Sequence, residues 1–186
     1  MAKIRLLGIT EVMRSTTTGI NLTDYIELNY NDVAEYQENL LLEDTIDIQK
    51  TKQIDSSINK VLVKKGDIIF PIKQKNHTPK FVNWSEDIDV NYRYNGEIII
   101  VRVIADIVNK KFLYFALNSP DVKDFINELA SHLTPNRITC EMIGNLEIDL
   151  PELSIQNQII EELEKLNTEK IKIENQFKEY IKIIKK

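Results

Sequence analysis

The sequence predicts an α+β fold: a mixed or antiparallel sheet with short helices over residues 1–150, then a long C-terminal, coiled-coil-forming helix over 151–186. Three observations carry this reading. Short runs rich in β-branched and aromatic residues are punctuated by turn signals. Between them lies a stretch with helix-start chemistry. From Ser154 to the end, apolar residues fall at heptad spacing.

The strand-like runs are "DYIEL" (24–28), "KVLV" (60–63), "DIIFPIK" (67–73), "KFVNW" (80–84), "EIIIVRVI" (97–104) and "NLEIDL" (145–150). Turn signals bound them at Lys65-Gly66-Asp67, where Gly tolerates positive φ and Asp bonds the local backbone, and at Tyr94-Asn95-Gly96. Residues 110–133 read as two short helices, broken where Ser119 makes an N-cap and Pro120 takes the first helical position, whose N–H would be unsatisfied anyway.

The stretch "IDLPELSIQNQII" (148–160) changes period in its middle. Ile148 and Leu150 alternate with Asp149 as in a half-buried strand, and Pro151 forbids the strand from continuing inside a sheet. Beyond it, alternating steps of four and three pick out Ile159, Leu163, Leu166, Lys170, Ile173, Phe177, Tyr180 and Ile184, apolar or aromatic at seven of eight positions. A seam so regular calls for a partner helix, because isolated amphipathic helices owe most of their stability to packing. At 1.5 Å per residue the helix would run about 50 Å, too far for most of its stripe to fold back on a domain of this size. Packing of the helix on its own sheet is the competing reading. Lys170 would cost stability within such a seam, yet a polar core position can fix register.

Composition narrows the functional classes. With 186 residues and 42% hydrophobic side chains the chain can build a real core. The opening "MAKIRLLGIT" lacks a secretory apolar stretch, and the longest apolar run, "IIIV" at 98–101, is far short of a membrane span, so a cytoplasmic protein is expected. Cys140 is the sole cysteine, and with His77 and His132 scattered it offers no metal-ligand spacing.

The formal net charge is −5, which argues against a generic nucleic-acid binder. That average hides one basic strip, since residues 61–80 carry five lysines against one aspartate in an otherwise acidic or neutral chain.

An enzyme reading finds no support. Asp67 and Glu97 could begin a metal-dependent nuclease set, but Ile98 and Ile99 stand where that chemistry wants a lysine. There is no Gly-rich phosphate loop, no G-x-S-x-G elbow, and neither histidine has a Cys or Ser partner to make a nucleophile. The sequence therefore offers no catalytic, cofactor-binding or metal-ligating residues.

The basic strip is a better candidate. "FPIKQKNHTPK" (70–80) presents Lys73, Gln74, Lys75, Asn76, His77, Thr78 and Lys80, with Phe81 and Trp84 beyond. Lysines can neutralise phosphates, while Gln and Asn can bond adenine edges in the major groove. A second cluster, "SHLTPNR" (131–137), contributes His132, Thr134, Asn136 and Arg137, and "RSTTTG" (14–19) is a weaker third. Ordinary solvated loops would read the same way.

Taken together, these segments resemble the target recognition domain of the specificity subunits of type I restriction-modification enzymes. The resemblance rests on "KIRLLGITEVMRSTTTG", on "LVKKGDIIF" against an L-x-x-G-D-I-L pattern, and on "FLYFALNSPDVKDFI" against Y-L-x-x-x-L-N-S. It continues in "RITCEMIGNLEIDLPEL" against a segment leading to I-P-x-P-x-L, and in Gln156 and Ile159 against an E-Q-x-x-I helix head. The match runs through the whole chain in order. Thr10, Ala130 and Ile155 depart from residues common in the family.

Family subunits usually carry two recognition domains and two helical spacers, so the resemblance implies a half subunit: a recognition domain over 1–150 and a spacer and dimerisation helix over 151–186. It implies sequence-specific binding of double-stranded DNA, without chemistry of its own, by a homodimer paired through the 159–184 seam over a gapped palindrome. S-adenosylmethionine would be bound by partner adenine methyltransferase subunits, and ATP and Mg by a restriction and translocase subunit. A different reading keeps the same fold as a dimerising adaptor or regulator that occupies these partners without reading DNA.

Overall fold

A computed structural model of the chain describes residues 2–14, 26–28, 64–73, 77–82, 92–94, 98–133 and 135–184. Among the described residues, eight strands and four helices are formed: β1 Ala2–Arg5, β2 Thr10–Arg14, β3 Ile26–Leu28, β4 Ile68–Pro71, β5 Lys80–Phe81, β6 Tyr92–Tyr94, β7 Ile98–Val103, α1 Lys110–Leu117, α2 Pro120–Ser131, α3 Cys140–Gly144, β8 Glu147–Leu150 and α4 Leu153–Ile184. A single 3-10 turn, Leu6–Gly8, joins β1 to β2. The segment 60–63, expected as a strand, lies outside the described residues.

The central sheet is antiparallel in the order β2-β7-β4-β5. Among the described residues two further pairs form, β1 with β8 antiparallel and β3 with β6 parallel, so the fold is mixed as the sequence suggests. The run Ile98–Val101 is apolar without alternation because both faces of the inner strands are buried. Ile68 and Phe70 of β4, paired across from Val101 and Ile99, face the main core with Tyr114, Leu113 and Leu117 of α1. The intervening Ile69, Ile98 and Ile100 point the other way and are equally buried. Burial of one such side chain is worth roughly 1.5–3 kcal/mol, so this strand pair anchors the domain.

The first two strands are not legible as strands in the sequence. The β1 backbone pairs with β8 at the far end of the domain, so its stability comes from a partner more than 140 residues away rather than from local propensity. Helix α2 begins after Ser119 with Pro120 at its head, as the sequence predicts, but the Ser119 side chain makes no capping bond; its carbonyl accepts from the Lys123 N–H instead.

The Gly66-Asp67 turn is built as its chemistry requires. Gly66 sits at φ +87°, where a side chain would be strained, and the Asp67 carboxylate accepts from the Lys64 N–H at 2.7 Å. Asp67 is also held by two hydrogen bonds from Arg102 of β7, Nε to Oδ1 at 2.9 Å and Nη2 to Oδ2 at 2.7 Å. Burial pushes its carboxyl above the ordinary carboxylate range, with Arg102 and the Lys64 N–H pulling it back. This pairing commits Asp67 to joining the turn to the neighbouring strand.

Among the described residues, no helix is long and apolar enough to cross a membrane.

Candidate nucleic-acid interface

Strand β4 divides the basic strip in two. Lys64 and Lys65 precede it, and Lys65 lies at the root of α4, where Lys65, Gly66, Lys110 and Lys111 line a cleft with Asn157, Glu161 and Glu164. Lys73 follows β4 at its other end. A four-residue strand spans about 13 Å at 3.3 Å per residue, so one charged run supplies two separate surfaces.

At the Lys73 end, the two loops singled out in the sequence meet. The Ile138 N–H donates to the Ile72 carbonyl at 3.2 Å. His77 lies between them, 1% exposed, with Nδ1 at 2.9 Å from the Pro71 carbonyl and Nε2 at 3.0 Å from Asn136 Oδ1. Its backbone N–H reaches Asn127 Oδ1 on α2 at 3.3 Å. Pairing of both ring nitrogens makes His77 a strut that sets the distance between the loops; the sequence offered it as a contact residue, and its burial assigns it a positioning role.

Asn136 is exposed, yet its side-chain oxygen is committed to that strut. Lys80 opens β5, as the strand-like run from residue 80 suggests, and is buried at 9%, which the sequence does not show. Lys73, His132 and Arg137 are exposed, while Gln74, Lys75, Asn76, Thr134 and Trp84 lie outside the described residues.

One member of this surface is hardly visible in the sequence. Arg14 ends β2 opposite Ile99 of β7, and thereby reaches the same recess as Lys73 and Arg137. Sequence reading touched it only as the first residue of a weak Ser/Thr-rich segment. The signal that could have found it is the β2–β7 pairing, which no local pattern discloses.

The long helix is joined to the domain by a buried amide. Gln156, 0% exposed, accepts the Asn109 N–H on Oε1 at 2.8 Å. Its Nε2 donates to the Ile107 carbonyl at 2.9 Å and to the Pro151 carbonyl at 2.7 Å. Asn109 is at the same time the N-cap of α1, its side-chain oxygen accepting from the N–H groups of Lys111 and Phe112. Around this centre, Asn109 Nδ2 donates to Asn157 Oδ1 at 2.7 Å, Lys111 pairs with Glu164, and Ile160 is buried. The start of α4 is therefore fixed in direction by the start of α1.

A second stripe on α4 turns away from the domain. Ile159 is 40% exposed, Leu166 54%, Ile173, Phe177 and Tyr180 65% each, and Ile184 77%; Leu163 is half-buried. Lys170, the polar position of the heptad series, is exposed and pairs with Glu174 on its own helix at 3.7 Å. The root of α4 packs on the start of α1 rather than along the sheet, and the stripe beyond it is exposed.

The sequence matches the family described as "Type I restriction modification DNA specificity domain" over residues 3–182. The chain belongs to this family. Among solved structures, this specificity domain is similar to the HsdS subunit from Thermoanaerobacter tengcongensis, at 14% identity and a TM-score of 0.58, covering 90% of this chain and 37% of that one. It is also similar to the S subunit of a type I restriction-modification system from M. genitalium, at 11% identity and a TM-score of 0.54, over 92% of this chain and 41% of that one. A third similar structure, described in terms of complex assembly and conformational transition of the type I R-M system, is 16% identical with a TM-score of 0.56, over 90% and 38%. The specificity domain thus spans about two fifths of the length of these subunits. No curated protein matches it.

Proposed function

We propose that this specificity domain reads one half of a gapped DNA site, and that two copies, paired antiparallel through the exposed seam of α4, hold two reading heads at a fixed separation. The observation that carries the reading is the partition of α4: its root is locked onto the domain by Gln156, while Leu166, Ile173, Phe177, Tyr180 and Ile184 are left as an apolar stripe in solvent. Large exposed apolar side chains at heptad spacing are a surface for another helix. Family membership supports the DNA-recognition role.

A two-fold pair reads a palindrome, here interrupted by a gap that the helices set. The chain itself performs no catalysis in this reading. Two adenine methyltransferase subunits bring S-adenosylmethionine, and a restriction and translocase subunit brings ATP and Mg. With a net charge of −5, the isolated chain binds DNA weakly and loses it steeply with salt, and the methyltransferase subunits complete the grip. The setting is the cytoplasm, where chromosomal DNA and these partners are available.

The test is the adenine methylome of a clean host expressing the chain together with its methyltransferase subunit. A methylated, gapped palindrome that requires both proteins is the expected result. An asymmetric gapped site would replace the homodimer with a pairing to a different recognition domain. An isolable complex with no new methylation would overturn the DNA-reading role in favour of an adaptor.

A further inference from the structure

We infer that Asn136 reads one base pair in each half-site, through the amide NH₂ group that His77 leaves facing outward, and that His77 is the residue that positions it. The inference rests on the DNA-reading role proposed above and narrows that role from two loops to one side chain and its support.

Three observations carry it. The first is convergence on a buried ring. His77 lies out of solvent, and three separate segments close on it. The Pro71 carbonyl at the end of β4 is 2.9 Å from Nδ1, Asn127 Oδ1 on α2 is 3.3 Å from the backbone N–H, and Asn136 Oδ1 in the loop before α3 is 3.0 Å from Nε2. Turning the ring over would put carbon atoms where both nitrogens now sit and would break both ring contacts, so its orientation is fixed.

The second is that this buried ring ends on an exposed side chain. Asn136 is exposed, as is its neighbour Arg137. An exposed asparagine ordinarily turns freely about its last bond, yet this one has its carbonyl oxygen held from behind. Among the described residues its Nδ2 makes no hydrogen bond. Side-chain freedom already lost on folding is not lost again on binding, and a contact group locked by hydrogen bonds behind it holds the geometry that base discrimination needs. A cation next in the chain suits the phosphates that flank a base contact.

The third is chemistry. A carbonyl oxygen only accepts, so a ring set between two of them donates from each nitrogen, and Asn136 is left with its NH₂ group outward. An amide with both atoms free reads adenine, accepting from N6 and donating to N7. With its oxygen engaged by His77, Asn136 offers donors alone. Its complement in the major groove is an acceptor: N7 or O6 of guanine, N7 of adenine or O4 of thymine. Cytosine, which presents its N4 donor there, is refused.

The experiment expresses the full chain with its methyltransferase subunit in a clean host and reads the methylation frequency of every near-match to the native motif. Asn136→Ala is expected to relax one base pair per half-site about tenfold and to leave the other positions unchanged. Asn136→Asp keeps an acceptor for Nε2 but turns an oxygen outward, so it should switch the contacted base to cytosine. Two amide replacements test His77. His77→Asn places an NH₂ group where Nδ1 stood and loses Nε2, whereas His77→Gln places one where Nε2 stood and loses Nδ1. His77→Asn should relax the same base pair as Asn136→Ala, and His77→Gln should retain it, although both lower the thermal midpoint.

A motif unchanged by both Asn136 variants removes Asn136 as a reader and leaves the DNA-reading role intact. Uniform loss of methylation in His77→Asn with no position relaxed, or equal relaxation in His77→Gln, makes His77 a brace only. A native requirement for cytosine at the contacted base means that the amide is turned the other way and overturns the assigned polarity. Asn136 is exposed, so its two variants decide the reading role even where a His77 variant does not fold. If the native chain and its partner methylate no new motif, the DNA-reading role falls and this inference with it.

Discussion

Replacing Gln156 by Leu removes the hydrogen bonds that fix α4 to the domain while keeping an apolar side chain in a fully buried position. Three backbone groups lose a partner: the Asn109 N–H at 2.8 Å and the Ile107 and Pro151 carbonyls at 2.9 and 2.7 Å. A buried group left unsatisfied costs about 1–3 kcal/mol, and carbonyls tolerate it better than N–H groups, so the sum is about 3 kcal/mol. What remains at the root is small. The Lys111–Glu164 pair is about one third exposed on each side and contributes less than about 1 kcal/mol, and Ile160 contributes roughly 1.5–3 kcal/mol. The exposed Asn109–Asn157 hydrogen bond adds about 0.5–1.5 kcal/mol, so loss of Gln156 is comparable to the sum of these remaining contacts, and the root becomes a hinge. In thermal unfolding the midpoint should fall by about 6–12 °C, from about 2–4 °C per kcal/mol at this size. In hydrogen exchange, protection of the Asn109 and Lys111 amides should drop while that of Ile99 and Val101 persists. A midpoint shift below about 2 °C with Asn109 still protected would refute the reasoning. Gln156→Glu supplies a control with a sign. Its carboxylate still accepts from Asn109 but faces two carbonyls, so the native state favours the protonated acid and raises its pKa. Stability of that variant is then greatest at low pH and falls as pH rises above about 4.3, the unfolded value for Glu.

Other outcomes follow from the same geometry. Arg102→Leu strands the buried Asp67 carboxylate and should cost about 3–5 kcal/mol at pH 7; because the folded pKa of Asp67 already lies above its ordinary value and rises further, urea midpoints should show a smaller defect at pH 4 than at pH 7. Leu166→Asp places a charge in the exposed seam and should convert a dimer into a monomer with little loss of domain stability, read as molar mass by light scattering; an unchanged mass removes the seam as the interface. Reversal of Lys73 and Lys75 to Glu should abolish methylation while leaving assembly with the methyltransferase subunit intact, and surviving methylation would move the reading loop elsewhere.

The parts of the fold that were legible in the sequence are those whose stability is local or periodic. Pro120 announced the start of α2, Pro151 the end of a strand, Gly66-Asp67 a turn, and the heptads the long helix. What local patterns did not disclose depends on pairing at long range. β1 is a strand because β8 lies beside it, and Arg14 reaches the recess because β2 lies beside β7. His77 was offered among the contact residues of a polar loop, and composition alone does not separate a side chain aimed at a ligand from one that braces two loops; its burial and the 2.9 and 3.0 Å contacts do. Gln156 is the converse case. One amide near the head of a charged helix carries no signal of burial, yet it is the centre of the junction, because the α1 N-cap supplies it with an N–H and two carbonyls converge on its NH₂ group.

In the proposed pair, the two stripes of α4 also fix how the separation of the reading heads can change. The root stripe, Gln156, Ile160 and Glu164, and the seam stripe, Leu166 to Ile184, lie on one rigid helix, so the rotation between them is set by the number of intervening residues. Each inserted residue turns the distal helix by 100° and advances it by about 1.5 Å. A single alanine inserted after Thr168 therefore carries Ile173, Phe177, Tyr180 and Ile184 out of line with Ile159 and Leu166, and the pair should dissociate although the helix and the domain both remain folded. Seven inserted residues complete two turns to within about 20°, which supercoiling absorbs, and lengthen the helix by about 10.5 Å. That variant should remain a dimer and methylate a motif with the same two half-sites and a longer gap. Light scattering and the methylome distinguish the two insertions cleanly. If the single-residue insertion methylates the original motif, the seam does not set the spacing; if the seven-residue insertion changes a half-site rather than the gap, α4 takes part in base reading and is more than a ruler.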